Sequence, residues 1–342
     1  MKKRVLLLVL VMLLSMLFVA CDKKDEKKES ADPTAAEKVE EKADEKAEEK
    51  KEEKADEAAK EEGVKPIVER GYAKDDLLIS AEDLNKKLGD EKVLIFDARG
   101  PEAYGGGHIP GSVAITWPEF SDMEAERGKG FACLFDEEKL TPVFQKYGFD
   151  EDVEMIFYAD PSGWGEDGRL VWMLRMAGLN NSKILDGGFP AWEKAGFEVS
   201  KEATEPKASE YKVEKLSQDL NATTDFIKEN LDTIKIIDVR AQKEWDGAQD
   251  YGEPRGGHIK GAIHLLWTEL ADKDHFIKTQ EEIDKMMADL GITKEDTIVT
   301  YCTSGIRSAH MALVLQMAGY ENAKNYDASI NEWGAYEELP ME

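Results

Sequence analysis

Two periods of hydrophobicity alternate along most of this 342-residue chain. Short apolar runs at 93–96, 155–158, 234–237 and 297–301 read as buried parallel strands. Between them lie stretches of helical periodicity with start signals. Ser80 precedes "AEDLNKKLG", Thr224 precedes "DFIKENL", and Thr279 precedes "QEEIDKMMADLG", whose Gly291 suits a helix C-terminus. Strands alternating with helices predict an α/β fold, a mostly parallel sheet sandwiched by helices. Sites in such sheets lie beyond the carboxyl ends of strands.

The whole pattern occurs twice. Residues 93–117 and 154–192 carry "VLIFDARGPEAYGGGHIPGSVAITW" and "EMIFYADPSGWGEDGRLVWMLRMAGLNNSKILDGGFPAW". Residues 234–267 and 297–333 carry "IKIIDVRAQKEWDGAQDYGEPRGGHIKGAIHLLW" and "TIVTYCTSGIRSAHMALVLQMAGYENAKNYDASINEW". Asp-x-Arg after a strand, Gly-His-Ile-x-Gly, Met-Ala-Gly and an Asp-led turn before Trp recur in order. A duplication follows, with domains at 63–200 and 215–342 and a polar linker at 201–214.

The first 62 residues break this pattern. Lys2, Lys3 and Arg4 precede an apolar run from Val5 to Val19, which ends in Phe18-Val19-Ala20-Cys21. This leader (1–21) resembles the signal peptide of bacterial lipoproteins, in which the cysteine becomes the lipidated N-terminus; uncleaved, it would be an N-terminal anchor. Both predict an exported, lipid- or helix-tethered protein of the bacterial cell envelope. Residues 22–62 hold 11 Lys against 18 Asp and Glu and almost no large apolar side chain. Such a segment cannot bury a core and reads as a solvated spacer.

Charge and cysteine content narrow the chemistry. Residues 63–342 carry a net charge of −23, which argues against nucleic acid as a partner. An anionic substrate would have to be drawn in by a local site. Three cysteines do not make a disulfide framework. With Cys21 lipidated, Cys133 and Cys302 remain as thiols. Cys302 ends a predicted strand in "YCTSGIR", and a helix begins near Arg307. The amides from Thr303 to Arg307 can curl round its sulfur, with Gly305 permitting the turn. The helix N-terminus and Arg307 add positive charge, which together lower a thiol pKa. A buried core cysteine is the plain alternative, but Thr-Ser-Gly-Ile-Arg is too polar for a core.

These motifs together resemble the two-domain rhodanese-type sulfurtransferases, a family of thiosulfate and 3-mercaptopyruvate sulfurtransferases, over residues 75 to 340. The resemblance implies two tandem rhodanese-like domains, the C-terminal one catalytic and the N-terminal one an inactive copy. Ala159 stands where Cys302 aligns, followed by Asp160, Glu166 and Asp167. It also implies ping-pong transfer from a small anionic sulfur donor, thiosulfate or 3-mercaptopyruvate, to a thiol, cyanide or protein acceptor through a Cys302 persulfide. Cys302 would be the nucleophile, with Thr303, Ser304, Gly305, Ile306 and Arg307 binding substrate. Arg255 matches a substrate-side arginine of the mercaptopyruvate branch, whereas Glu244 stands where many members carry arginine. Two further readings are a non-turnover persulfide carrier serving a partner protein and a phosphatase or arsenate reductase. The four residues between Cys302 and Arg307, one fewer than phosphatases use, disfavour the latter.

Other conspicuous residues have structural readings. Asp97 with Arg99 and Asp238 with Arg240 recur in both copies and are expected as buried pairs, and His108 and His258 likewise. Asp186 and Asp327 are expected to cap the helices that follow. Trp117 and Trp267 read as packing residues, Trp267 with the option of lining the pocket, and His310 as a packing or surface histidine. Cys133 is a buried thiol or a resolving one. No metal-ligand spacing, phosphate loop or dinucleotide fingerprint appears, and no cofactor is called for.

Overall fold

A computed structural model describes residues 64–342. The expected leader with Cys21 and the spacer lie outside the described residues. Strands β1 (Leu78–Ile79), β2 (Val93–Asp97), β3 (Val113–Ala114), β4 (Glu154–Tyr158) and β5 (Ser182–Leu185) form the first sheet, in the order β1-β5-β4-β2-β3. Strands β6 (Lys235–Asp238), β7 (Ile263–His264), β8 (Ile298–Tyr301) and β9 (Ala323–Asn325) form the second, in the order β7-β6-β8-β9. Every pairing between these strands is parallel. The parallel bridge between Asn221 and Asn325 is all that the second copy keeps of an edge strand like β1.

Helices α1 (Ala81–Lys86), α2 (Pro101–Gly106), α3 (Glu137–Tyr147), α4 (Glu166–Met176) and α5 (Gly188–Lys194) belong to the first copy. Helices α6 (Thr224–Asn230), α7 (Gln242–Trp245), α8 (Gln280–Asp289), α9 (Ile306–Met317) and α10 (Ser329–Trp333) belong to the second. The expected starts at Ser80 and Thr279 are N-caps, the latter within a capping box with Glu282. The start expected at Thr224 lies one residue earlier, at Thr223, whose hydroxyl accepts from the Phe226 amide. Helices α4 and α9 are buried on nearly every face and pack against each other more extensively than any other pair of elements. A Cβ on Gly168 would come within 2.5 Å of the His310 Cβ, so glycine lets these backbones approach.

The duplicated motif has a physical account. In register, Asp97 faces Tyr158 and Asp238 faces Tyr301. Each tyrosine hydroxyl donates to its aspartate, at 2.8 and 2.7 Å. Arg99 and Arg240 fork onto the same carboxylates and donate onward to the Gly107 and Gly257 carbonyls. The Asp-x-Arg element thus ties each central strand to its Gly-His-Ile loop. Asp97, Asp238 and Arg240 are buried and Arg99 partly so, and none of them lines the pocket at Cys302. Segment 201–214 has no regular structure but runs along the first domain, where Val213 is buried and the Tyr211 hydroxyl donates to the Ala177 carbonyl.

Candidate active site

Strand β8 ends at Tyr301, and residues 302–305 turn directly into α9. Gly305 makes this turn with φ of +74°, in contact with the Asp327 backbone. Cys302 lies at the bottom of the turn, 1% exposed. A pocket opens over it, lined by Trp164, Tyr251, Cys302, Thr303, Ser304, Ile306 and Arg307. Of the residues expected here, Gly305 lies in the turn beneath and the others line the pocket, except Arg255. The Arg255 guanidinium donates to the carbonyls of Trp333, Gly334, Tyr336 and Leu339 at 2.6–3.1 Å, so the structure does not bring it into the group. It pins the C-terminal turn after α10 instead.

Burial by itself pushes the Cys302 thiol up, but three partners outweigh it. The Arg307 guanidinium, the Ser308 amide and hydroxyl, and the Ser304 amide all favour the thiolate, and the net direction is below the usual thiol range. The Ser308 hydroxyl lies 3.6 Å from Sγ and 2.7 Å from Asn325 Oδ1. It carries one proton, so it can turn from the amide oxygen to the sulfur as the thiol ionises. Ser329 sends its hydroxyl oxygen to the Cys302 amide at 3.2 Å and holds the backbone beneath the sulfur.

Arg307 is not a free cation. Its guanidinium forks onto Glu244 at 2.7 and 2.8 Å and donates to Thr303 Oγ1 at 3.0 Å. Burial and this pairing leave the Glu244 carboxyl, on balance, below its ordinary range. Glu253, also buried, accepts from the Tyr251 amide and lies 3.3 Å from Thr303 Oγ1. Glu244, at the position where many family members carry arginine, is thus the partner of Arg307, and its place six residues after Asp238 is the only sign of this in the sequence. On the open side, the Trp164 ring lies 4.8 Å from the Arg307 guanidinium carbon and packs edge-on to Tyr251 at 5.0 Å. Trp164 comes from the first copy, a contribution that periodicity could not reveal.

Asp186 and Asp327 do not cap the helices that follow them; the N-cap residues are Gly187 and Ala328. Both carboxylates instead cross the domain boundary. Asp186 accepts from the Ile277 amide at 3.0 Å and pairs with Arg70 at 2.7 Å. Asp327 accepts from the Leu134 amide at 2.8 Å and pairs with Arg169 at 2.5 Å. Arg127, from the same first-domain segment as Leu134, reaches Asn331 and the Tyr251 carbonyl. Asn331 in turn donates to the Ser304 hydroxyl at 2.6 Å.

The corresponding loop of the first copy, 159–165, is three residues longer and built differently. Ala159 follows Tyr158 as Cys302 follows Tyr301, and Glu166 and Asp167 stand at the positions of Arg307 and Ser308. The buried Asp167 carboxylate accepts from the Gly168 amide at 2.7 Å and from the amides of Asp167 and Ala159. A side chain of the protein therefore fills the anion-accepting turn. Burial pushes this carboxyl up to about 6. A second cavity adjoins it, lined by Asp160, Asp167, Asp186, Trp267, His275 and His310, so Trp267 and His310 face this loop and not Cys302. Desolvation alone lowers His310 to about 4. Cys133 is half-buried in the Asp327 region, and burial drives its thiol well above the ordinary range.

Two parallel α/β domains, one of which sets a thiolate-favouring cysteine at a strand-to-helix turn, define the class to which the chain belongs. A family model described as a rhodanese-like domain matches residues 80–195 and 223–336, and the chain belongs to this family. It is a tandem rhodanese sulfurtransferase, an enzyme that moves sulfur from a donor to an acceptor. The thiosulfate sulfurtransferase of Corynebacterium glutamicum is 31% identical over 287 residues, 79% of this chain and 92% of that one. The sulfur carrier protein TtuD of Thermus thermophilus is 29% identical over 286 residues, 79% of this chain and 98% of that one. Among solved structures, an anaerobic ergothioneine biosynthesis enzyme from Chlorobium limicola superposes with a TM-score of 0.69 at 22% identity. That match covers 79% of this chain and 71% of the other, and it speaks to the fold alone.

Proposed function

We propose that Cys302 is the nucleophile of a ping-pong transfer of sulfane sulfur, with thiosulfate as the favoured donor and 3-mercaptopyruvate the second. The Cys302 thiolate attacks the outer sulfur of thiosulfate, the S–S pair of electrons leaves with sulfite, and a Cys302 persulfide anion remains. A thiol, cyanide or protein acceptor then attacks the terminal sulfur and the Cys302 thiolate returns. The amides of Ser304 and Ser308 and the Arg307 charge hold the anionic sulfur in both halves of the cycle. The observation that carries this reading is the net fall in the Cys302 pKa despite full burial, beneath an open pocket. The first copy, with alanine at the equivalent position, is a non-catalytic duplicate, giving one active site per chain.

Intact-protein mass spectrometry after treatment with either donor tests this. A one-sulfur gain absent from Cys302→Ala is expected, and it ranks the donors; a folded protein that gains no sulfur from either would falsify the assignment. Repeated turnover with thiosulfate and cyanide separates an enzyme from a carrier that loads once. Cys21, the preceding apolar run and the polar spacer support a lipid-anchored protein on the extracytoplasmic face of a bacterial membrane. Metabolic labelling of the chain with a fatty acid, lost in Cys21→Ser, is the expected result, and a wild-type chain that takes up no label overturns it.

A further inference from the structure

Arg169 lies in the copy that lacks the thiol, yet its guanidinium ends at the Cys302 loop. The residue is fully buried. Nη1 lies 2.5 Å from Asp327 Oδ1 and donates to the Gly305 carbonyl at 3.2 Å. Nη2 donates to the Ala132 carbonyl at 3.1 Å, and the guanidinium carbon sits 4.8 Å from the Trp172 ring. The Gly305 carbonyl receives a second hydrogen bond from Asn325 Nδ2 at 3.2 Å. Asn325 Oδ1 in turn faces the Ser308 hydroxyl that lies over Cys302 Sγ. A continuous chain of polar contacts therefore runs from Arg169 through Gly305, Asn325 and Ser308 to the nucleophile.

We propose that Arg169 is a positioning residue for Cys302, supplied across the domain boundary by the non-catalytic copy. The physical argument rests on peptide planes. Gly305 has no side chain and a left-handed backbone, so the turn it makes is held mainly by what its carbonyl and neighbours bind. A buried cation on that carbonyl fixes one face of the turn and keeps the amides on the other face aimed at the sulfur. Arg169 occupies the place in α4 that His310 occupies in α9, each seven residues before its Met-Ala-Gly. The two equivalent positions have diverged: one packs against the filled loop, the other braces the open one. The charged groups that bear on the Cys302 loop are Arg307, Glu244, Glu253 and Asp327 from the second copy and Arg169 from the first.

The inference rests on Cys302 being the reactive thiol, and its test needs no sulfur donor. The rate of Cys302 alkylation against pH is measured for the whole chain and for Arg169→Met, Arg169→Lys and Arg70→Met, each with its melting temperature. Arg70 is the control because it too is buried at this boundary, pairing with Asp186 of its own copy and donating to the Ile277 carbonyl of the other, away from Cys302. Arg169→Met is expected to raise the thiolate pKa by about one unit, slowing alkylation at pH 7 up to about tenfold with recovery in alkali. Arg169→Lys keeps the charge and shows a smaller rise, and it stands in if the methionine variant does not fold. Arg70→Met is expected to lower the melting temperature without moving the pKa. A folded Arg169 variant that titrates as the wild type overturns the proposal, as does an equal shift in Arg70→Met. A wild-type thiolate that titrates low but never gains sulfur sinks the transfer reading and leaves this one intact.

Discussion

Gly305→Ala should cost far more than glycine strain alone, and the protein contains its own control. Gly305 and Gly261 have nearly the same backbone, φ of +74° and +79°. A Cβ on Gly261 meets nothing within 4 Å, whereas one on Gly305 meets the Asp327 carbonyl oxygen at 2.5 Å and its Cα at 3.0 Å. Placing alanine in the left-handed region costs about 1–2 kcal/mol. Reduced freedom of the unfolded chain returns about 0.4–1 kcal/mol, so Gly261→Ala should destabilise by roughly 0–1.5 kcal/mol. Gly305→Ala adds an overpacking cost of about 1–3 kcal/mol, because the backbone at 327 must move. That backbone carries the pair with Arg169 and the bond from Leu134, which resist the shift. The expected total is roughly 1–4.5 kcal/mol in urea unfolding. Sulfur loading should fall about a hundredfold or more in Gly305→Ala, since a misplaced loop loses its aim at the sulfur. It should be unchanged in Gly261→Ala. Equal destabilisation by the two substitutions would refute the role assigned to the close approach at Asp327.

Arg307 and Glu244 should separate stability from activity. Arg307→Met alone leaves a buried carboxylate unpaired and should cost about 3–5 kcal/mol, while Arg307→Met with Glu244→Leu should recover most of that stability and none of the sulfur loading. The two buried groups at the filled loop should tilt the stability–pH profile in opposite directions. His310 is held neutral with its pKa lowered from 6.5 to about 4, so its contribution is present above 6.5 and lost as pH falls through that window, up to about 3 kcal/mol. Asp167 is raised from 3.8 to about 6, so its contribution is present below 3.8 and lost as pH rises through 6, by a similar amount. Unfolding measured from pH 4 to 7 should show a shallower rise for His310→Gln and a shallower fall for Asp167→Asn; parallel profiles would remove both assignments. Finally, the lowered Cys302 pKa stabilises the fold above the unfolded thiol's pKa and ceases to do so as pH falls through the folded value. Cys302→Ser should therefore lose more stability at pH 9 than at pH 6.

Much of the fold was legible because strands buried on both faces leave unbroken apolar runs. All four runs became β2, β4, β6 and β8, within one or two residues at each end. The Cys302 loop was legible too, since Cys, Gly and Arg at a strand end have few other uses. What the sequence hid was who partners whom. Nothing local distinguishes an arginine that binds substrate from one that ties down carbonyls, and Arg255 does the second. An aspartate before a helix is also the usual sign of a cap, yet Asp186 and Asp327 reach into the other domain. Glu244, Trp164 and Arg169 touch the site only through pairings 59 to 143 positions distant, beyond the reach of any periodicity.

Helices α4 and α9 are buried on nearly every side, and one hydrophobic core runs through both copies, from Leu77 to Ala323. This has a consequence for synthesis. Translation delivers the first copy complete while the helix that must cover α4 is still about 110 residues from being made. Until Met317 clears the ribosome, the finished half presents the apolar side chains of α4, from Leu170 to Leu174, with no mate. The two copies resemble separable domains along the chain but can mature only together, and a nascent chain stalled between them should be a ready client for chaperones.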